Sequence, residues 1–319
     1  MADFKVVILD NRYADYKQEQ DVLSQIGVEP EIHFPANNRD AILLLKEADG
    51  VICNLFNLTS EIITEMDKCR VISRYGVGYD NVDVAAASLK GITVCNVPDY
   101  ATEDASDHAL ALLLNCVRKI SYRDRKVREG LWNLHSHHPC FRLSGKVMGI
   151  VGFGHIGKCL IRKLSGLGFS RIIVFDPMAD EKQISLYGSE KVSFDELLSE
   201  SDCISIHCPL NSDTTKMFDS AAFSKMKKSS ILINTARGAI IDEAALCQAL
   251  ANKQLSAAGL DVYEKEPVPM DSPLRCYENI TLSDHAAWYS EESLVELKTK
   301  AALNVLKVLS GMKSEYSIN

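Results

Sequence analysis

The chain is constrained most tightly at Gly152-Phe153-Gly154-His155-Ile156-Gly157, a G-x-G-x-x-G that directly follows the apolar run 147–151 and opens an apolar helix through Leu160 and Leu164. In such a loop the first glycine permits a tight turn and the second lets a pyrophosphate approach the backbone. The third lets helix and strand pack closely, and the helix N-terminus faces the anion. The spacing and its strand–loop–helix setting predict a dinucleotide site lined by Gly152, Gly154, His155, Ile156 and Gly157. Asp176 ends the next apolar run, 172–176, where a carboxylate accepts hydrogen bonds from an adenosine ribose. A 2′-phosphate would be repelled there, and Pro177-Met178 brings no cation to compensate, so NAD rather than NADP is expected.

Around this loop, short apolar runs alternate with polar, helix-like stretches. Runs at 6–9, 51–53, 71–73 and 92–95 form one series, and runs at 147–152, 171–176, 203–208, 230–234, 257–261 and 280–282 form a second. Alternation of this kind, with largely apolar strands, reads as an α/β protein with parallel sheets covered by helices on both faces. Between the series, Thr102-Glu103-Asp104-Ala105 looks like a capped helix start. Leu110, Leu113, Val117 and Ile120 recur at helical spacing up to a basic end at 123–128, which predicts one connector helix. The last stretch puts Leu294, Leu297, Ala301, Val305 and Val308 on one helical face with no strand to lead into, so this helix is expected to pack back on the first domain. At 319 residues, two domains are expected: a substrate domain from 1–102 and 286–319, and a nucleotide-binding domain from 103–285.

Composition narrows the function classes. Lys plus Arg number 35 against 43 Asp plus Glu, a net charge of −8 that repels phosphate backbones, so no nucleic-acid partner is expected. No apolar run approaches the ~20 residues of a membrane span, and Met1-Ala2-Asp3-Phe4-Lys5 leads straight into an apolar run without a signal segment. A cytoplasmic protein without membrane attachment is the expectation. The 10 cysteines form no Cys-x-x-Cys pair and mostly sit in apolar runs, as expected of buried, reduced thiols. His135-Ser136-His137-His138 has no cysteine or carboxylate spaced to complete a metal site and reads as a solvated loop, so no metal is expected.

Several ordered motifs resemble the D-isomer-specific 2-hydroxyacid dehydrogenase family, whose members include phosphoglycerate, glycerate and formate dehydrogenases and the C-terminal-binding-protein corepressors. The landmarks begin with Gly76-Val77-Gly78-Tyr79-Asp80-Asn81-Val82-Asp83, Asn96-Val97-Pro98 and the glycine loop, then His207-Cys208-Pro209-Leu210 with Thr214. They continue through Asn234-Thr235-Ala236-Arg237-Gly238, Asp261-Val262-Tyr263-Glu264-Lys265-Glu266-Pro267 and His285-Ala286-Ala287-Trp288. The resemblance spans nearly the whole chain. It implies a Rossmann cofactor domain inserted into a flavodoxin-like substrate domain, both doubly wound parallel sheets. The implied reaction is hydride transfer between NAD(H) and a small D-2-hydroxy acid or its 2-oxo acid, in a homodimer.

The same resemblance assigns roles. Arg237 would hold the substrate carboxylate with a bidentate, permanently charged donor and stabilise developing oxyanion charge. His285 would be the acid and base, since an ordinary imidazole titrates near ~6.5. Glu266 would bond its other ring nitrogen and favour the imidazolium. The amides of Val77 and Gly78 are candidates for gripping the carboxylate, with Arg74 beside them. Cys208, Pro209 and Thr214 fall on the adenosine side, Ala236, Asp261 and Ala287 near the nicotinamide, and Thr102 at the connector helix. The His285–Trp288 tetrad looks most like the C-terminal-binding-protein branch, in which the tryptophan borders the substrate pocket. That tilts the expected substrate toward an apolar tail. Asp107 stands where many relatives have Glu, and Asn211 replaces a common Thr. Phosphoglycerate oxidation stays open, although no regulatory domain is expected after the last helix. An NAD-sensing, corepressor-like scaffold is the alternative from another class; the complete Arg237, Glu266 and His285 set favours an enzyme, and the short ends leave little room for interaction tails.

Overall fold

The computed structural model of the chain describes residues 4–132 and 140–319. The histidine cluster at 135–138 lies outside the described residues. The chain divides into two compact units, Met1–Ala101 with Ser290–Asn319, and Thr102–Tyr289.

In the first unit β1 (Val6–Leu9), α1 (Lys17–Leu23), β2 (Glu31–His33), α2 (Asn38–Leu45), β3 (Gly50–Cys53), α3 (Ser60–Thr64), β4 (Val71–Arg74), α4 (Val84–Leu89) and β5 (Thr93–Cys95) follow in order. Every strand pairing is parallel, in the order β2-β1-β3-β4-β5. This is the flavodoxin-like winding, with its switch point between β1 and β3. All four residues of β1 and of β3 are buried, because both sheet faces are covered. One face packs Leu9, Leu45, Val51, Ile62, Ile72 and Val94 into a core. The edge strand β2 is fully exposed, which is why Glu31-Ile32-His33 carries no apolar signal.

The second unit runs through α5 (Thr102–Arg118), α6 (Ile120–Arg128), β6 (Val147–Val151), α7 (His155–Leu164), β7 (Arg171–Phe175), α8 (Glu181–Ser185), β8 (Glu190–Lys191), α9 (Phe194–Glu200), β9 (Cys203–Ile206), α10 (Ser220–Lys225), β10 (Ile231–Asn234), α11 (Glu243–Ala251), β11 (Ala257–Leu260) and β12 (Ile280–Leu282). Its sheet is also wholly parallel, in the order β12-β11-β10-β9-β6-β7-β8. The order of strand addition reverses between β6 and β9, which opens the doubly wound crevice where such sheets take ligands. The single helix expected from Thr102 to the basic end is two. Lys119 takes a left-handed φ of 56°, and the Asn115 carboxamide accepts the Ser121 N–H at 2.8 Å, restarting the helix as α6. Within this unit α5 buries Ala109, Leu112, Leu113, Cys116 and Val117 against Met148, Ile150, Ile233 and Ala257.

The chain then returns to the first unit with α12 (Glu291–Leu309), started by a capping box between Ser290 and Ser293. Leu297, Ala301, Val305 and Leu309 are buried. A Cβ on Gly50 would lie 3.0 Å from Val305 Cγ1, so the helix sits directly on β3. Residues 286–289, read from sequence with the substrate domain, go with the second unit. Asp261 of that unit accepts the N–H groups of 285–287.

Candidate active site

The glycine loop joins β6 to α7 at the switch point. Gly152 has a φ of 97°, and a Cβ there would come within 2.7 Å of the Cys208 nitrogen and the His207 carbonyl carbon. Only glycine can occupy that position. A Cβ on Gly157 would strike the Gly152 oxygen, whereas Gly154 at the helix N-cap has nothing within 4 Å and is exposed beside His155. The backbone is thus tight where strand and helix meet and open where an anion would rest, so these residues fit a pyrophosphate. Ile156 is half-buried behind them.

Asp176 follows β7 and closes the loop, its Oδ2 accepting the Phe153 N–H at 2.8 Å and its Oδ1 the Met178 N–H at 2.9 Å. It stays partly accessible, with Met178 beyond it 91% exposed, so one side chain organises the loop and still offers acceptor capacity. Beyond β9, the His207 Nε2 is paired with Ser205 Oγ at 2.8 Å, and burial pushes His207 down to about 4. Cys208 is half-buried, its thiol pushed up to about 11 by burial. Pro209 is exposed and tied down by Thr214, whose Oγ1 donates to the Pro209 oxygen at 2.7 Å and accepts the Asn211 N–H at 2.8 Å. Asn211 closes this turn itself, accepting the Asp213 and Thr214 N–H groups.

Arg237, Glu266 and His285 stand on the loops after β10, β11 and β12. Those neighbouring strands end level, Asn234 beside Leu260 and Leu260 beside Leu282. Asn234 shapes the first loop, its Oδ1 accepting the Ala236 N–H at 3.0 Å and its Nδ2 donating to the Arg237 oxygen at 2.9 Å. Gly238 lets this loop press on Tyr263, since a Cβ would overlap the Tyr263 carbonyl. Glu266 accepts the Tyr263 N–H at 3.0 Å on Oε1 and meets His285 Nδ1 at 2.6 Å on Oε2. Burial opposes ionisation of Glu266, but the His285 hydrogen bond and charge and the Tyr263 N–H overcome it and hold the carboxyl below its ordinary range. An ionised carboxylate only accepts, so Nδ1 carries a hydrogen and Nε2 is the nitrogen left for chemistry. The His285 side chain is 41% exposed, within reach of a ligand.

Asp261, placed near the nicotinamide by sequence, is wholly buried. Its Oδ1 accepts Ser283 Oγ at 2.6 Å and the Ala286 N–H at 2.9 Å, and its Oδ2 the Ala287 N–H at 2.9 Å. His108 of α5 lies 2.8 Å from Ser283 Oγ. Burial would raise Asp261, yet His108, Ser283 and the two amides hold it down at about 2. His108 and Ser283 escaped the sequence reading; a polar residue inside an apolar helix and a serine two positions before His285 were the available signals. Ala287 is buried, and Trp288 is half-buried with its ring edge-on to Tyr289, centroids 5.5 Å apart. Thr102 is the first residue of α5.

In the first unit, Arg74 ends β4 and its Nη1 donates to the Tyr75 oxygen at 2.5 Å. Gly76 has a φ of 114°, and a Cβ there would strike Arg74 Nη1. The Asn96 carboxamide donates to the Val77 oxygen at 2.7 Å, and Val97 N–H to the Gly76 oxygen at 3.0 Å. Val77 is 40% exposed and Gly78 half-buried, so this loop presents backbone at the C-terminal end of its sheet.

A dinucleotide-binding α/β protein is the class that the parallel sheet of the second unit and its glycine loop define. Residues 110–287 match the family model described as D-isomer specific 2-hydroxyacid dehydrogenase, NAD binding domain. The chain is 37% identical over 282 residues to a glyoxylate reductase of Korarchaeum cryptofilum, covering 87% of this chain and 84% of that one. It is 32% identical over 300 residues to a D-3-phosphoglycerate dehydrogenase of Archaeoglobus fulgidus, covering 94% of this chain but 56% of that relative. The solved D-lactate dehydrogenase of Aquifex aeolicus, in complex with NAD and lactic acid, superposes with a TM-score of 0.86 at 26% identity over 96% of both chains. The chain belongs to the D-isomer specific 2-hydroxyacid dehydrogenase family. It is a hydride-transfer oxidoreductase with NAD as its cofactor.

Proposed function

We propose that the protein interconverts a small 2-oxo acid and its D-2-hydroxy acid, with His285 as the acid and base, Glu266 as its orienting carboxylate and Arg237 as the carboxylate-binding cation. The observation that carries this reading is the 2.6 Å contact between His285 Nδ1 and Glu266 Oε2, on strand ends adjacent to the one that bears Arg237. Bound NADH supplies the hydride. Gly152, Gly154, His155, Ile156 and Gly157 cradle its pyrophosphate, and Asp176 takes the ribose. Cys208, Pro209 and Thr214 line the adenosine side, Thr102 lies within reach at the start of α5, and Ala236 and Ala287 lie at the other end with Asp261 buried behind them.

In reduction, His285 Nε2 delivers a proton to the carbonyl oxygen as the hydride reaches carbon two; in oxidation it takes the proton back. Glu266 stabilises the imidazolium in the first direction and fixes the ring in both. Arg237 binds the carboxylate through two parallel hydrogen bonds and polarises the carbonyl. In the first unit, the amides of Val77 and Gly78 and the Arg74 guanidinium bind anionic oxygen, and Trp288 of the second unit favours an apolar substituent on the acid. The resemblance to a glyoxylate reductase supports a small substrate.

The protein acts as a homodimer. The second unit exposes Ile120, Val127, Leu131, Trp132 and Phe141, an apolar set that a second copy would cover. It works in the cytoplasm, a reading supported by ten cysteines that are all free thiols. No described helix is long and apolar enough to cross a membrane.

The test is the fall in NADH absorbance with glyoxylate, hydroxypyruvate, pyruvate, 3-phosphohydroxypyruvate and longer apolar 2-oxo acids. Turnover of an unphosphorylated acid is expected. Turnover of the phosphorylated one alone would make the protein a phosphoglycerate dehydrogenase, and turnover of none would leave an NAD-binding scaffold.

A further inference from the structure

The geometry points to His108 as a positioning residue for the catalytic histidine, acting through Ser283 and Asp261 on the turn that carries His285. This inference rests on the proposed role of His285. The turn is strained: His285 has a φ of 57°, a left-handed conformation that is unfavourable for a non-glycine residue and persists only where its surroundings impose it. Three consecutive N–H groups impose it. His285 N–H donates to the Asp261 carbonyl at 2.9 Å, and the Ala286 and Ala287 N–H groups donate to the two Asp261 carboxylate oxygens, each at 2.9 Å. The imidazole therefore points where Asp261 holds its backbone.

Asp261 is itself a wholly buried carboxylate, and such a group keeps its charge and place only while its hydrogen bonds are complete. The remaining partners are Ser283 Oγ at 2.6 Å, and His108 Nε2 at 2.8 Å from Ser283 Oγ and 3.4 Å from Asp261 Oδ1. The hydroxyl has one proton. Because that proton goes to Asp261, Ser283 Oγ is an acceptor toward His108, and His108 Nε2 must be the donor. The relay runs His108 Nε2–H to Ser283 O–H to Asp261, and from Asp261 to the amides beneath His285. His108 reaches it from α5, which is packed into the core of the same unit, so a rigid helix anchors a strained loop.

The test uses the full chain without cofactor, then with NADH and glyoxylate. His108→Phe keeps the ring bulk and removes the donor; His108→Gln keeps an N–H donor; Ser283→Ala cuts the relay at its middle. Amide hydrogen exchange at Ala286 and Ala287 is expected to quicken about tenfold in His108→Phe and in Ser283→Ala, and to stay near wild type in His108→Gln. Glyoxylate turnover is expected to fall about tenfold in His108→Phe and Ser283→Ala and to be kept in His108→Gln, the loss falling on kcat more than on the KM for NADH because misplacement of the imidazole affects the transition state. The double variant should lose no more than either single one. Wild-type exchange at both alanines in His108→Phe would overturn the proposal, and so would His108→Gln behaving like His108→Phe. A separate His285→Ala variant distinguishes the failures. Full turnover there refutes the role of His285 while leaving the exchange result standing, whereas an inactive His285→Ala beside an unaltered His108→Phe refutes His108 alone.

Discussion

Nδ1 of His285 and Oε2 of Glu266 lie 2.6 Å apart, and the other Glu266 oxygen is fastened to the Tyr263 N–H at 3.0 Å. The carboxylate is thus anchored to the backbone on one side and to the imidazole on the other. Replacing it isolates its effect on the histidine. Glu266→Gln keeps the shape and removes the charge, and is expected to lower kcat about 10- to 100-fold with little change in the Kd for NADH. Stopped-flow reduction together with fluorescence titration of NADH checks both halves; an unaltered kcat would mean that the pair does not act as a unit.

Asp176 organises the glycine loop, and in the proposed function it also takes the adenosine ribose. Asp176→Ala is expected to shift the ratio of kcat/KM for NADH over NADPH toward NADPH by about tenfold or more, because a fixed negative charge no longer meets the 2′-phosphate. Steady-state kinetics with both cofactors checks it, and an unchanged ratio would count against Asp176 as the selector.

Gly152 has no room for a side chain. Gly152→Ala would place a Cβ 2.7 Å from the Cys208 nitrogen at a φ of 97°, so β6 and β9 must part. A loss of about 2–4 kcal/mol in stability is expected, with NADH binding weakened in parallel. Gly154→Ala, where no atom lies within 4 Å, is expected to leave stability within about 1 kcal/mol and to weaken NADH binding alone. Denaturant unfolding and NADH titration of the two variants separate folding from recognition.

Acidification is expected to destabilise the second unit in two windows. His207 has a folded value lowered from 6.5 to about 4, so protonation favours the unfolded chain, and the penalty grows as pH falls from 6.5 toward 4. Asp261 is lowered from 3.8 to about 2, so its stabilisation is complete above 3.8 and is lost as pH falls toward 2. At about 1.4 kcal/mol per unit, these amount to roughly 3 kcal/mol for His207 and roughly 2 kcal/mol for Asp261. Unfolding curves from pH 7 to 2 should show both declines, with His207→Gln removing only the upper one and Asp261→Asn only the lower.

Much of the fold is legible in the sequence because a strand buried on both faces must be largely apolar, as β1 and β3 are and as β9 and β10 are but for Ser205 and Asn234. Strands at the sheet edges lack that constraint. β2 and the two-residue β8 are edge strands, built of Glu31-Ile32-His33 and Glu190-Lys191, whose pairing is mainly backbone. The break at Lys119 depends on a left-handed residue and on an Asn115 hydrogen bond six positions away, neither of which alters the apolar spacing. In the site, the glycine loop and the residues on strand ends are readable from local motifs. The part that supports them is not: His108 meets Ser283 across 175 positions, and Asp261 looks like any acidic residue at a strand end until its burial is known.

Proton delivery by His285 is measured by single-turnover oxidation of enzyme-bound NADH by glyoxylate in wild type and His285→Ala, with the Kd for NADH taken on the same samples. The variant is expected to bind NADH as wild type does and to transfer hydride at least about 100-fold more slowly, because the proton delivered by His285 belongs to the transition state. Equal transfer rates at equal NADH occupancy would contradict it.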